Sequence, residues 1–265
     1  MGRGLRNLCQ MLNVQGLSHP GRRRKTNEDA MSWDVGLGCV AIADGMGGHQ
    51  AGEVASQLAL ESIFGFLRKS ASAVEFTWPF GLNPRLSRSA NRLMTALKIG
   101  NRQVYTKSEE NADFAGMGTT VVALLVEEST ITYASVGDSR LYSFADGQLR
   151  QLTRDDTWAA MLAQDPNVPP EALQNHPMRN VLTAVVGAMP DLEVTTADMA
   201  AGDQVLLLCS DGLHGSLSEE AIAAILSDER ELSRAVEALV AAALESGGSD
   251  NITAVLVGPG ANGDH

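Results

Sequence analysis

Two apolar runs of this chain stop at the same small signature, an acid followed by glycine: Val40-Ala41-Ile42-Ala43-Asp44-Gly45 and Val205-Leu206-Leu207-Leu208-Cys209-Ser210-Asp211-Gly212. Each reads as a buried strand that delivers one carboxylate at its end. Asp250, inside Gly247-Gly248-Ser249-Asp250-Asn251, opens another apolar run from Ile252 to Val257, and Glu28-Asp29 adds an acidic pair near the N-terminus. Carboxylates gathered at strand ends are costly unless a cation sits between them. If Asp44, Asp211 and Asp250 converge with Glu28, the donor set is all oxygen, which suits Mg²⁺ or Mn²⁺ and argues against zinc or copper. Two such ions bridged by Asp44 would lower the pKa of a shared water until it becomes a nucleophile. Gly45 and Gly212 permit a sharp turn and a close backbone approach to an ion. Any one of these acids could be a helix cap or a turn residue, but four together weaken that reading.

Arg22-Arg23-Arg24-Lys25 directly precedes the acidic pair. The simplest reading of such a run is a solvated turn. Beside a metal centre, however, an anionic substrate needs a positive anchor, and a guanidinium matches phosphate oxygens in a bidentate fork. One arginine is therefore assigned to phosphate and the others to the surface.

The elements that must position these groups follow from hydrophobic period. Short β-rich or alternating runs occupy 11–18, 30–43, 119–126, 130–136, 139–144, 181–185, 192–197, 204–209 and 252–257, and helical spacing dominates 49–68, 88–110, 218–227 and 229–246. Hairpin turns are read at Glu127-Glu128-Ser129, Gly137-Asp138-Ser139 and Ala145-Asp146-Gly147, so the sheets are antiparallel. With helices covering one face of each sheet, the expected fold is α+β, a four-layer α/β/β/α sandwich with two central antiparallel β-sheets flanked by helices. Irregular segments separate the elements at Ser70–Arg88 and at Arg154–Asn180. The second holds Asp165-Pro166, Pro169-Pro170 and His176-Pro177 around a short helix and is read as a flap, with Asp155, Asp156 and Asp165 as caps or solvated charges.

The chain has 265 residues, 44% apolar content and a formal net charge of −12, a size and composition that fit one large domain and exclude wholesale binding to nucleic acid or an anionic membrane. The expected division is an N-terminal extension over 1–13, a single domain over 14–258 and a tail over 259–265. Neither a signal-peptide run nor a long apolar span is evident, so a cytoplasmic protein is expected. Cys9, Cys39 and Cys209 are odd in number and unevenly spaced, which reads as inert thiols rather than disulfides or a zinc knuckle.

The ordered motifs Arg24-Lys25-Thr26-Asn27-Glu28-Asp29, Ala43-Asp44-Gly45-Met46-Gly47-Gly48-His49, Gly116-Met117-Gly118-Thr119-Thr120, Val136-Gly137-Asp138-Ser139-Arg140, Leu152-Thr153-Arg154-Asp155-Asp156, Cys209-Ser210-Asp211-Gly212-Leu213 and Ser249-Asp250-Asn251 resemble the bacterial PPM (PP2C-like) metal-dependent protein serine/threonine phosphatases, over about Val14 to Val257. The resemblance implies that Asp44, Asp211 and Asp250 hold one metal, and that Glu28, Asp44 and the Gly45 carbonyl hold a second. It further implies that Asp29 orients bound water, that Asp138 with Asp211 binds a weaker third metal, and that Arg24 is the phosphate clamp. The turn reading of Asp138, paired with Arg140, stands beside this. Two Mn²⁺ or Mg²⁺ ions, phosphorylated protein substrates and an opposing Ser/Thr kinase are the implied cofactors and partners, and a monomer is expected. Met46 stands where animal members carry a histidine proposed as general acid, so the leaving-group proton would have to come from metal-bound water. His49 is read as structural, and Thr183-Ala184-Val185-Val186-Gly187 lacks an arginine many relatives have there. The Ser18–Gly21 segment and the Trp78-Pro79-Phe80 insert also resemble phosphatases encoded beside secretion-system kinases.

Other phosphate chemistries fail on residues. A cysteine phosphatase needs arginine six positions after the thiol, where this chain has Gln15, Gly45 and Gly215. The glycines at 45–48 miss the dinucleotide fingerprint at Gln50, no nucleotide-binding Gly-x₄-Gly-Lys-Ser/Thr occurs, and Ser210 lacks the glycine of a nucleophile elbow, with Leu208 in its place. The rival from another class is a catalytically inactive phosphatase fold acting as a regulatory or binding module, which loss of a core acid would support. An enzyme dedicated to one specialised phosphoprotein is a second rival, but it would be expected to carry a sensor domain.

Overall fold

The computed structural model describes residues 12–259, apart from 49, 73–76, 170–171 and 174–175. Cys9, His49, Pro170, the N-terminal residues 1–11 and the tail residues 260–265 lie outside the described residues. Eleven strands and six helices are named among those described: β1 (Leu12–His19), β2 (Asp29–Asp34), β3 (Cys39–Met46), α1 (Ala51–Ser72), α2 (Arg88–Glu110), β4 (Gly118–Thr119), β5 (Val121–Glu127), β6 (Thr130–Val136), β7 (Arg140–Ala145), β8 (Gln148–Gln151), α3 (Trp158–Leu162), β9 (Thr195–Ala200), β10 (Val205–Cys209), α4 (Asp211–His214), α5 (Glu219–Asp228), α6 (Leu232–Glu245) and β11 (Ile252–Pro259).

The strands form two antiparallel sheets. One runs β1-β11-β10-β7-β8; the other runs β2-β3-β5-β6-β9, with β4 added to β3. Period-2 alternation divides each central strand between two apolar layers. Cys39, Ala41 and Ala43 of β3 and Val121, Ala123 and Leu125 of β5 face α1 and α2, while Val40, Ile42, Val122 and Leu124 face the opposite sheet. On the other side Leu207, Cys209, Ala254 and Leu256 face α5 and α6, and Leu206, Leu208, Val255 and Val257 turn to the sheet–sheet layer. Burial on both faces is why these strands read as unbroken apolar runs. Three apolar layers, two under helices and one between sheets, make the expected four-layer sandwich.

The helices carry the matching stripe. Ala51, Ala55 and Ala59 recur every four residues along α1, and Gly100 of α2 stands so close to it that an added Cβ would lie 3.3 Å from the Ala59 carbonyl. Ser87 caps α2 by accepting from the Ala90 amide at 3.0 Å.

Several expectations are corrected. The run 30–43 breaks into β2 and β3 around a turn at Val35–Gly38, where Gly38 takes φ +67. Glu127–Ser129 and Ala145–Gly147 are hairpin turns, the latter leading into β8, but Gly137-Asp138-Ser139 is not: β6 and β7 belong to different sheets, and these residues cross between them. Glycine, aspartate and serine favour a bend whichever sheet receives the next strand, so local chemistry could not distinguish the two. Residues 181–185 form no strand; the neighbourhood makes only single bridges, Thr157 with Leu182 and Thr119 with Val186. The strand expected at 192–197 lies at Thr195–Ala200, where it pairs along the edge of β6.

Candidate metal centre

The β2–β3 register places Asp29 directly opposite Asp44. Asp44 closes β3, and Thr119 and Thr120 pin it there: both its amide and its carbonyl are engaged, by Thr120 Oγ1 at 3.1 Å and by the Thr119 hydroxyl and Thr120 amide at 2.8 Å. Asp211 begins α4 at the end of β10, and Asp250 stands just before β11, which pairs with β10. Both sheets therefore bring their acids to one edge. Asp138, on the crossover, joins them.

Burial dominates the electrostatics. It raises the Asp44 carboxyl well above the usual carboxylate range, and the charges of Asp29, Asp211, Asp138 and Asp250 add to it. Asp211 is raised first by burial and then by Asp250. Burial, with Asp211 next, pushes Asp138 up to about 7. Asp29 is raised by burial against the pull of two donors, Thr253 Oγ1 at 2.6 Å and Ser210 Oγ at 2.8 Å. Both donors bind Oδ2; Oδ1 is buried with no partner. A half-buried cluster of acids that raise one another's pKa, with one buried oxygen unspent, is a donor set that fits hard cations. Among the described residues no three of these acids stand together at the spacing of a closed cation cage. Asp44 and Asp211 meet by a side-chain hydrogen bond, and Asp250 is engaged by Arg24.

That contact joins two residues assigned different tasks. Arg24 Nη2 donates to Asp250 Oδ2 at 2.8 Å, and both side chains remain partly exposed. Glu28 lies to the side, its carboxyl raised by burial and its Oε1 within 2.7 Å of where a Gly52 Cβ would stand. Gly45 is required sterically: an added Cβ would meet the Gly52 carbonyl oxygen at 2.0 Å. The close approach of the β3 end to the start of α1 allows no side chain there.

Asp138 is not paired with Arg140. That guanidinium forks onto Asp155 at 2.9 and 2.7 Å and donates to the Tyr142 hydroxyl at 2.8 Å. Asp156 accepts from the Gly137 amide at 3.0 Å and returns its own amide to the Gly137 carbonyl at 2.8 Å. Asp155 and Asp156 are thus fastenings between the 154–180 loop and the Asp138 crossover, not caps or solvated charges; Asp165 does close a local turn, accepting from the Asn167 amide at 2.9 Å. A cavity of about 550 Å³ lies between this loop and Asp138 and Asp211.

Sequence reasoning gave no role to several polar residues here. Ser210 and Thr253 hold Asp29, and Asn251 Oδ1 accepts from the Glu28 amide at 2.8 Å. His214, its pKa lowered to about 4 chiefly by burial, is a neutral ring bonded to the Asp138 carbonyl at 3.0 Å. Their signal was available: Thr253 is a lone hydroxyl in an apolar strand, and a buried hydroxyl requires a partner. Cys39 and Cys209 are buried free thiols whose pKa burial pushes up, which makes them poor nucleophiles.

Fold and acid cluster together define a known class, and residues 15–256 match the protein phosphatase 2C family model. The chain belongs to that family. It is 35% identical over 224 residues to the serine/threonine phosphatase stp of Listeria monocytogenes, covering 82% of this chain and 83% of that protein. It is 34% identical over 247 residues to the serine/threonine protein phosphatase PstP of Mycobacterium tuberculosis, covering 93% of this chain but 45% of the relative's length, so the chain spans about half of that protein. The catalytic domain of PstP in complex with two manganese ions superposes with a TM-score of 0.78 at 31% identity, covering 94% of this chain and 99% of that one. Among the described residues no helix is long and apolar enough to cross a membrane.

Proposed function

We propose that this chain is a phosphoprotein phosphatase that hydrolyses phosphoserine and phosphothreonine at a binuclear Mn²⁺ or Mg²⁺ centre, with 14–258 as its single catalytic domain and 154–180 as its flap. The observation that carries the reading is the cluster of Asp29, Asp44, Asp138 and Asp211, half-buried and raised in pKa by desolvation and by one another's charge, in a chain of this family. Asp44, Asp211 and Asp250 would hold one ion, Glu28, Asp44 and the Gly45 carbonyl the second, and Asp138 with Asp211 a weaker third. When bound, such ions lower the pKa of water so that hydroxide is available near neutral pH.

The chain's own groups do the rest. Ser210 and Thr253 fix Asp29 by one oxygen and leave Oδ1 to accept a hydrogen bond from the attacking water and aim it. Arg24, steadied by Asp250, keeps further N–H donors for the phosphate oxygens. Met46 has no proton to give, so the serine or threonine alkoxide takes its proton from water. The cavity of about 550 Å³ beside Asp138 and Asp211 is where this reading places the residues flanking the phosphate. Every acid assigned a metal role is present in the sequence, which disfavours the reading as an inactive binding module. On this reading the protein acts as a monomer in the cytoplasm against a Ser/Thr kinase; the named Ser/Thr phosphatase relatives support the substrate class.

The test is phosphate release from a phosphothreonine peptide. Release is expected with Mn²⁺ or Mg²⁺ and abolished by chelator, then restored by adding metal back. Full activity in excess chelator, after metal removal is verified, would overturn the mechanism.

A further inference from the structure

Four of the chain's twenty Lys and Arg residues stand consecutively at Arg22-Arg23-Arg24-Lys25, in a protein whose net charge is −12. All four are exposed. Arg24 is engaged by Asp250, whereas among the described residues Arg22, Arg23 and Lys25 have no ion pair.

The loop that carries them is held in place. A single buried amide, Asn251 Nδ2, donates to the Pro20 carbonyl at 3.0 Å and to the Thr26 carbonyl at 2.9 Å, closing the loop on both sides of the run. The Arg22 amide donates to the Gly248 carbonyl at 2.7 Å, and the Arg22 stem packs where a Gly248 Cβ would stand, 3.1 Å away. Gly21 takes φ +79, and a side chain there would collide with the Asp250 carbonyl at 2.1 Å. Three solvated cations are thus displayed on a fixed backbone beside the acid centre. Successive Cα atoms are about 3.8 Å apart, so Arg22, Arg23 and Lys25 lie within roughly one Debye length of Arg24 at ~0.1 M salt.

Resting on the phosphatase reading, we propose that this loop selects substrates: it favours phosphopeptides with Asp or Glu flanking the phosphorylated residue, which it holds by Arg22, Arg23 and Lys25 while Arg24 takes the phosphate. Such a surface acts through encounter and KM rather than through the chemical step, and salt weakens it.

The experiment compares phosphothreonine peptides with acidic, neutral and basic flanks, and p-nitrophenyl phosphate, in the Mn²⁺-loaded protein and in an R22A/R23A/K25A variant whose folding is checked by circular dichroism. The wild type should show kcat/KM about five- to tenfold higher for the acidic than for the neutral peptide, carried by KM and reduced at 0.5 M salt; each exposed pair is worth at most a few-fold. The variant should treat the two alike and hydrolyse p-nitrophenyl phosphate as the wild type does. Equal rates on all peptides in the wild type, or a preference that survives the triple substitution, would overturn the inference alone. No release from any substrate with metal present would overturn the phosphatase reading and this inference with it.

Discussion

The acid centre and the 154–180 loop face each other across one cavity and are built in opposite ways. Three centre residues are fixed by partners distant in sequence: Asp29 by Ser210 and Thr253, Asp44 by Thr119 and Thr120, Glu28 by Asn251. The loop is fastened to the sandwich at its base, through Asp155 to Arg140 and Asp156 to Gly137, and beyond that it bonds mainly to itself. Trp158 stacks on His176 with centroids 4.3 Å apart, the Trp158 amide reaches the Val181 carbonyl at 2.8 Å, and Arg154 donates to the Ala160 carbonyl at 2.6 Å. Met161 and Met178 remain exposed on it, and Val181 just beyond its end. Charge chemistry demands fixed donors and finds them where two sheets over-determine position, whereas the proposed flap role asks of the loop only that it be fastened at its base.

If that division is right, Asp44→Asn should strike both large and small substrates alike. kcat should fall by about 10²-fold or more on a phosphopeptide and on p-nitrophenyl phosphate, the scale of losing a principal catalytic group. A loss confined to the peptide would move Asp44 out of the chemistry.

A second test turns on the cost of the cluster without cations. The folded-state pKa values of Asp29, Asp44, Asp138 and Asp211 are raised, so between about pH 4, where an unfolded aspartate titrates, and about 7, where Asp138 does, the folded protein holds more protons than the unfolded chain. These four groups lower the stability of the metal-free protein as pH rises through that window, while His214, with its pKa lowered to about 4, works the other way below about pH 6.5; the net fall is on the order of 1–3 kcal/mol. Thermal melts in chelator should show a lower Tm at pH 8 than at pH 5.5, and Mn²⁺ should remove most of the difference. Asp44→Asn should raise the pH 8 melting temperature of the metal-free protein, because it removes a half-buried charge that its acidic neighbours repel. A flat pH profile in chelator would mean that the acids are better solvated than their burial implies.

The smallest effect belongs to the loop. Trp158→Ala removes the stack on His176 and should lower kcat/KM on phosphoproteins several-fold while leaving p-nitrophenyl phosphate turnover within about twofold. Equal losses on both, in a folded and metal-loaded variant, would join the loop to the catalytic core and dissolve the distinction.

Much of the architecture was legible because its causes are local. Val40 to Ala43 and Val205 to Cys209 had to be strands buried on both faces, since no polar residue interrupts them, and the four-residue spacing of Ala51, Ala55 and Ala59 had to be a helix stripe. The acid–glycine pairs at Asp44-Gly45 and Asp211-Gly212 could be picked out for the same reason: a carboxylate after an apolar run is conspicuous in one dimension. Which strands share a sheet was not written locally. Gly137-Asp138-Ser139 has turn chemistry, but only packing decides that β7 joins β10 rather than β6, and that crossing carries Asp138 to Asp211. Nor could spacing reveal that Arg140 serves Asp155 instead of Asp138, that Arg24 leans on Asp250, or that one amide, Asn251, closes the cationic loop at both ends. Sequence by itself determined which residues are apolar, which bend and which carry charge, because those are properties of single side chains and their near neighbours. Only the tertiary structure decided which charges meet, because the free energy of a buried carboxylate depends on partners hundreds of residues away and on the water the fold excludes between them.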